Sequence, residues 1–449
     1  MKKSLILGAA ALAAAAWAPL ADAGEVKLGG YYMGRWQAYD ANMTDETGVN
    51  STTGERYVHR LQLKTDMIAS EKSHAHMVVR ILDSANVEGA DLGSASDGGA
   101  SLTQVTNGTN VADPWEIRQA WLETEAWGLG VKFGEMPLSL NDSILVGDDT
   151  SSNGGLLLSK TFGNVTAVVG NIRINEDTAA GGSSQEATGA NSDDSNLWAG
   201  SLFGKVGLAD YNLTLAYADL GKASDFMDVL ETVCTSQNAA TCAGTDSSNL
   251  WVALTLSGKL GYVNAVATGI YEDGYDLSQD TTGAKLKNLW EKSGMLGALR
   301  LSGNTGFGEW NSYGFIATQG FNNITNDNMV WSATWDQSGP GGQDLMNNFA
   351  SAAGVNTSPS ENMSGIGLGL KVKAAGWTIN PMIDYAAVSK NSATDTLDSA
   401  FGGSLLLSTQ IQKDTTLLLE AAMVDPKGIN GTTTTDNAYY AQAGIKMTF

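Results

Sequence analysis

Apolar and polar residues alternate with period two through most of the chain from Glu25 to Phe449. In the last stretch, Tyr439, Ala441, Ala443, Ile445, Met447 and Phe449 fall on one side of an extended segment, and Tyr440, Gln442, Gly444, Lys446 and Thr448 on the other. Successive strand side chains point to opposite faces, so each such segment has one greasy and one wet side. The same alternation sets Tyr211, Leu213, Leu215 and Tyr217 against Asn212, Thr214, Ala216 and Ala218, and Ile366, Leu368, Leu370 and Val372 against Gly367, Gly369, Lys371 and Lys373. The segments run about ten residues, the length that crosses a bilayer at a tilt.

The connections alternate as well. Short turns are expected at 70–72, 126–128, 163–164, 207–210, 257–261, 374–376 and 412–415. Long polar linkers lie between them, at 41–54, 84–113, 137–154, 176–194, 220–247, 272–288, 321–362, 389–398 and 425–436. Short turns at one end and long loops at the other form the rhythm of a bacterial outer-membrane barrel. Strands counted between them number 18, with 16 as the alternative because the segment near 285–303 is the least regular. The expected fold is all-β: a transmembrane antiparallel β-barrel. A soluble β-sandwich would also alternate, but its solvent face would carry many Lys and Glu. Here the polar face is mostly Gly, Ser, Thr, Asn and Gln.

Composition sharpens this reading. The chain has 449 residues, 53 Gly, 7 Pro, only 16% charged residues and a formal net charge of −22. An acidic chain does not supply the clustered Lys and Arg of a nucleic-acid binder. Abundant Gly and few charges exclude a long coiled coil. With 12 Trp, 13 Tyr and 10 Phe, the chain is too rich in aromatics for disorder.

Residues 1–23 have the three-part form of a secretory signal. Lys2 and Lys3 precede an apolar, Ala-rich run, and Ala21-Asp22-Ala23 fits the small-x-small cleavage rule. Residues 24–449 are then expected to form a single barrel domain. Cys234 and Cys242 are the disulfide candidate, which export would permit. His59, His74 and His76 lack the cysteine and carboxylate company of a metal centre, so no metal or cofactor is expected. No Ser sits in a G-x-S-x-G elbow and all His lie within 59–76, so no enzyme is expected.

The polar face of the first strands is basic. Arg35, Arg56, Arg60, Lys64, Arg80 and Arg118 recur at strand parity on neighbouring segments. Arginine facing lipid costs several kcal/mol, so this wall belongs in the lumen. The linker 137–155 mixes Asp142, Asp148 and Asp149 with Leu138, Leu140, Ile144, Leu145 and Val146. An external loop gains little from those aliphatics. A loop folded into the barrel would bury them and turn its acids toward the basic wall, as a constriction with a transverse field.

The terminal strand Tyr439–Phe449, the stretches Arg118–Leu122 and Gly128–Gly134 before the 137–155 loop, and Arg60–Thr65 with Ala69-Ser70-Glu71 resemble the Gram-negative outer-membrane porins. The likeness is to the general homotrimeric type, including those of sulfate-reducing bacteria. That resemblance implies a homotrimer in the outer membrane, contacts with lipid and lipopolysaccharide, and insertion by the barrel-assembly machinery, with Tyr439 and Phe449 as the assembly signal. It implies passive diffusion of small hydrophilic solutes and ions through a water-filled channel. A substrate-specific 18-strand channel and a structural or adhesive barrel are the alternatives. The chain departs from the general porins in its strand count and in carrying Gly134 where a basic residue precedes the loop.

Overall fold

The computed structural model describes residues 24–45, 48–87, 116–142, 144–175, 195–222, 246–273, 276–277, 293–318, 363–388, 397–428 and 438–449. Every regular element among them is a strand: β1 (Glu25–Asp45), β2 (Gly48–Ser70), β3 (Ser73–Val87), β4 (Glu116–Ala126), β5 (Leu129–Leu140), β6 (Val146–Phe162), β7 (Val165–Asn175), β8 (Ser195–Val206), β9 (Ala209–Lys222) and β10 (Asp246–Leu260). They continue with β11 (Val263–Glu272), β12 (Asp276–Leu277), β13 (Gly294–Asn304), β14 (Gly308–Ala317), β15 (Met363–Ala374), β16 (Trp377–Val388), β17 (Leu397–Gln412), β18 (Thr415–Gly428) and β19 (Ala438–Thr448). Neighbours pair antiparallel, and β1 pairs with both β2 and β19, which closes the sheet. The two-residue β12 touches β10 beside the wall, while β11 pairs directly with β13. The wall therefore has eighteen strands.

Closure ends on a close approach. The N–H groups of Gly30 and Phe449 each donate to the other's carbonyl, at 2.9 and 3.1 Å. A Cβ on Gly30 would run into the Gln62 carbonyl of β2 and meet the Phe449 ring at 3.2 Å. The last ring of the chain thus lies over a residue with no side chain.

The outward face is the greasy one. Val252, Leu254 and Leu256 on β10, Leu213 and Leu215 on β9, and Ile366 and Leu368 on β15 are exposed there. Trp127, Tyr262 and Phe307 stand exposed in short turns, at the level of an interfacial aromatic girdle.

Several boundaries differ from the sequence expectation, three of them with consequences for the fold. The sequence pattern predicts a linker at 41–54, but β1 and β2 stay paired out to Asp45 opposite Gly48. β2 has 23 residues, about 75 Å at strand rise, which carries the hairpin well past a hydrocarbon core of roughly 30 Å. A short turn at Thr305–Phe307 joins β13 to β14, where the alternation alone predicts none. Finally, the 137–155 segment is largely strand: β5 runs to Leu140 and β6 starts at Val146, so the connection is only residues 141–145.

Candidate functional site

The β5–β6 hairpin defines the interior. β5 follows β4 only as far as Glu135, opposite Ala120. Gly134, one residue earlier, has φ of 118°, and a Cβ there would crowd Ala120 O and stand 2.9 Å from Trp121 Cα. Only glycine takes that backbone without strain. Past this pivot the hairpin leaves its neighbour, and its tip reaches strands far around the wall. The Asn141 side-chain amide donates to Asn212 O on β9 and Thr255 Oγ1 on β10, both at 3.3 Å. Arg300 Nη2 on β13 donates to Asp142 Oδ1 at 2.5 Å. A tip rooted in β5 meets β9, β10 and β13 only by crossing the lumen.

This crossing fixes which face is inside. Thr255 and Arg300 face the lumen, and the register carries that assignment around the wall, because directly paired residues share a face. The hairpin's aliphatics are buried there: Met136 and Leu145 are 0% exposed, and Leu138, Leu140 and Ile144 are also buried. The lumen side of the receiving wall is apolar at the same level. Ala216, Trp251, Ala253, Ile270 and Leu296 are all buried. The hairpin and that patch form a small core inside the barrel.

The first strands supply the charged wall. Arg35 on β1 and Arg80 on β3 are buried, Arg60 on β2 is half-buried and Lys64 is exposed. Register puts Arg60 opposite Met33 and Arg80 opposite Gln62. Arg118 occupies the register shift between β3 and β4, half-buried. Arg56 lies on β2 opposite Gln37, with its side chain outside the described residues. Toward the short-turn end, acids interleave with the bases. His76 Nδ1 bonds Asp66, and Lys72 Nζ lies 2.7 Å from Glu125. The His76 ring stacks on Trp121 at 3.8 Å, and Lys132 Nζ stands 3.7 Å from the centre of that indole. A cation over an indole face is held by the ring quadrupole.

The hairpin's acid does not face this wall. Asp142 pairs with Arg300 on the far side, and the side chains of Asp148 and Asp149 lie outside the described residues. Burial raises the Asp142 carboxyl above its ordinary range, and Arg300 beside it pulls partly back. Arg300 and the His76–Trp121–Lys132 stack carry no signal in the alternation that points to them. Arg300 sits in the least regular segment, which hid its parity. Tyr439 is exposed on the outer face and Phe449 closes the seam to β1. Residues 1–23, Cys234 and Cys242 lie outside the described residues.

No protein-family model and no curated protein matches the chain. Solved structures match it in fold. Pseudomonas aeruginosa OpdQ aligns with a TM-score of 0.55 over 95% of this chain and 99% of its own, at 10% identity. OpdK of the same organism, in a structure with vanillate, aligns at a TM-score of 0.53 over 94% of this chain and 98% of its own, at 11% identity. Acinetobacter baumannii OccAB4 aligns at 0.53 over 94% and 98%, at 10% identity. At such identities the likeness is one of fold. It is to the Occ/Opd porins rather than to the general homotrimeric type expected above. The chain has the closed eighteen-stranded antiparallel barrel of outer-membrane porins.

Proposed function

We propose that this barrel is a solute channel of the Gram-negative outer membrane, of the substrate-specific eighteen-strand kind rather than an open sieve. The observation that carries the reading is the β5–β6 hairpin, which leaves the wall at Gly134 and seats on β9, β10 and β13. It divides the interior into a charged side on β1–β5 and a largely uncharged side beneath its tip. A solute passing between them is oriented by side chains of unlike character, which is how a pore selects beyond size. That OpdK, a barrel of this fold, is seen in a structure with vanillate supports a barrel that takes particular small solutes. Passage is passive, with no covalent step.

Planar-bilayer recording of the detergent-purified protein tests this. A selective channel gives steady steps and a flux of its preferred solute that saturates with concentration. Flux rising linearly for every small solute would point to a general porin, and absence of current would point to a structural barrel. Current steps grouped in threes would report the homotrimer that the sequence resemblance implies.

A further inference from the structure

Beneath the hairpin tip the wall changes chemistry along one register row. Thr161 pairs with Thr166, Thr166 with Phe203, Phe203 with Asn212, Asn212 with Thr255, and Thr255 with Thr268. The row crosses six strands, β6 to β11, on the lumen face. Strand spacing makes it roughly 24 Å long. It carries no charge. Its hydroxyls are coupled side to side: Thr161 with Thr166 at 3.0 Å, and Thr255 with Thr268 at 3.0 Å. One row nearer the long loops, Ser201 and Thr214 are linked at 2.9 Å, and Thr214 donates to Asn212 Oδ1 at 3.2 Å.

Phe203 is the one aromatic residue of the row, and it is 37% exposed. Next to it toward the short turns, Lys205 and Asp210 stand 3.4 Å apart and offset each other's charge. A cavity of about 500 Å³ opens here, lined by Asn164, Thr166, Phe203, Asn212, Thr255 and Ser257 among others. That volume lies within the range of small-molecule sites, which run from roughly 300 to 1,000 Å³. The hairpin tip borders it, since Asn141 bonds both Asn212 and Thr255.

A hydroxyl both donates and accepts, and an amide offers two donors and an acceptor. A row of such groups matches a ligand whose own groups also do both. A carboxylate only accepts, and among the described residues lining the cavity the one cation, Lys205, is already paired with Asp210. An exposed aromatic face, negative at its centre, suits the weakly positive C–H face of a sugar ring. We infer that the wall beneath the hairpin tip is a subsite for neutral polyhydroxylated solutes, with Phe203 as the stacking platform and Thr166, Asn212, Thr255 and Ser257 as hydrogen-bond partners. The inference deepens the channel reading and rests on it.

Maltose and gluconate, added to single channels in a planar bilayer, test it. Maltose should interrupt the current saturably, and Phe203→Ala should weaken that block at least tenfold, while Phe203→Trp retains or tightens it. Gluconate should block more weakly than maltose, and its block should not depend on residue 203. Equal block by maltose in wild type and Phe203→Ala, or stronger block by gluconate through the same residue, overturns the subsite and leaves the channel standing. Absence of any current removes both.

Discussion

Among the described residues one ion pair fastens the hairpin tip, so Arg300→Ala is the informative perturbation. Three things dock the tip: the Asp142–Arg300 pair at 2.5 Å, the two Asn141 hydrogen bonds at 3.3 Å, and the burial of Met136, Leu138, Leu140, Ile144 and Leu145. The pair is neither open nor sealed, with side-chain exposures of 36% for Arg300 and 24% for Asp142. Its loss should therefore cost about 1–2 kcal/mol, between the values for surface and buried pairs. That raises the undocked population by roughly five- to thirtyfold and leaves the apolar packing in place. Single-channel records should then show frequent excursions to a larger conductance that are rare in wild type. The pH dependence has a definite sign. Burial already raises the Asp142 carboxyl, and Arg300 opposes that shift. Without the arginine, the docked state binds a proton more tightly than the undocked one. Docking is then favoured below the raised pKa and lost as pH rises through it, so the excursions should subside on acidification. Adding Asp142→Asn should abolish that dependence. Excursions no more frequent than in wild type, or more frequent in acid, would refute the docking argument.

Gly134→Ala forces a side chain into a left-handed backbone against Ala120, at a cost of about 1–3 kcal/mol. It should lower the temperature at which the barrel unfolds on heated gels and destabilise the hairpin's entry into the lumen, seen as current noise. Reversing Arg60 and Arg80 to Glu should move ion preference toward cations, and an unchanged reversal potential in a salt gradient would place those residues away from the ion path. Gly30→Val drives a side chain into the Gln62 carbonyl of β2 and against the Phe449 ring, and should weaken the β1–β2 ladder together with the closing β1–β19 seam by about 1–3 kcal/mol, measured as slower and less complete folding into micelles.

The barrel was legible because its two faces meet two solvents. Lipid on one side and water on the other impose period two on strands such as β9 and β19, and the turns fall where the alternation stops. Eighteen strands emerge from counting those breaks. The 41–54 stretch escaped because β1 and β2 continue past the membrane, where neither face meets lipid and the alternation loses its cause. The site was legible in part. Aliphatics in 137–155 pointed inward, and the hairpin does turn in. The partner of Asp142 was not legible, because nothing local distinguishes Arg300 on β13 from the basic residues of β1–β4. Which bases an inward loop reaches depends on the angle at which Gly134 sends it across the lumen, and that angle is a tertiary property.

A trace of the docking surface was nonetheless present in the chain. A lumen wall that met only water would keep polar residues inward on every strand. β10, β11 and β13 break that rule with Trp251, Ile270 and Leu296, each buried on the lumen face. Thr255 and Thr268 follow farther down β10 and β11, and on β13 the next large inward side chain is Arg300. Apolar residues on both faces of a barrel strand mean that something apolar covers the inner one, and the hairpin's Met136, Leu145 and their neighbours are that cover. The rule extends to β14 and β16, where Tyr313, Phe315 and Met382 are also buried inward. The Tyr313 hydroxyl donates there to Asp384. Breaks in alternation thus locate where an inward segment lands, whereas the uncharged hydroxyl and amide row around Phe203 is where we infer that the solute meets the wall. In this chain the two adjoin at Asn141, whose amide spans the boundary between the packed hairpin and the Phe203 cavity.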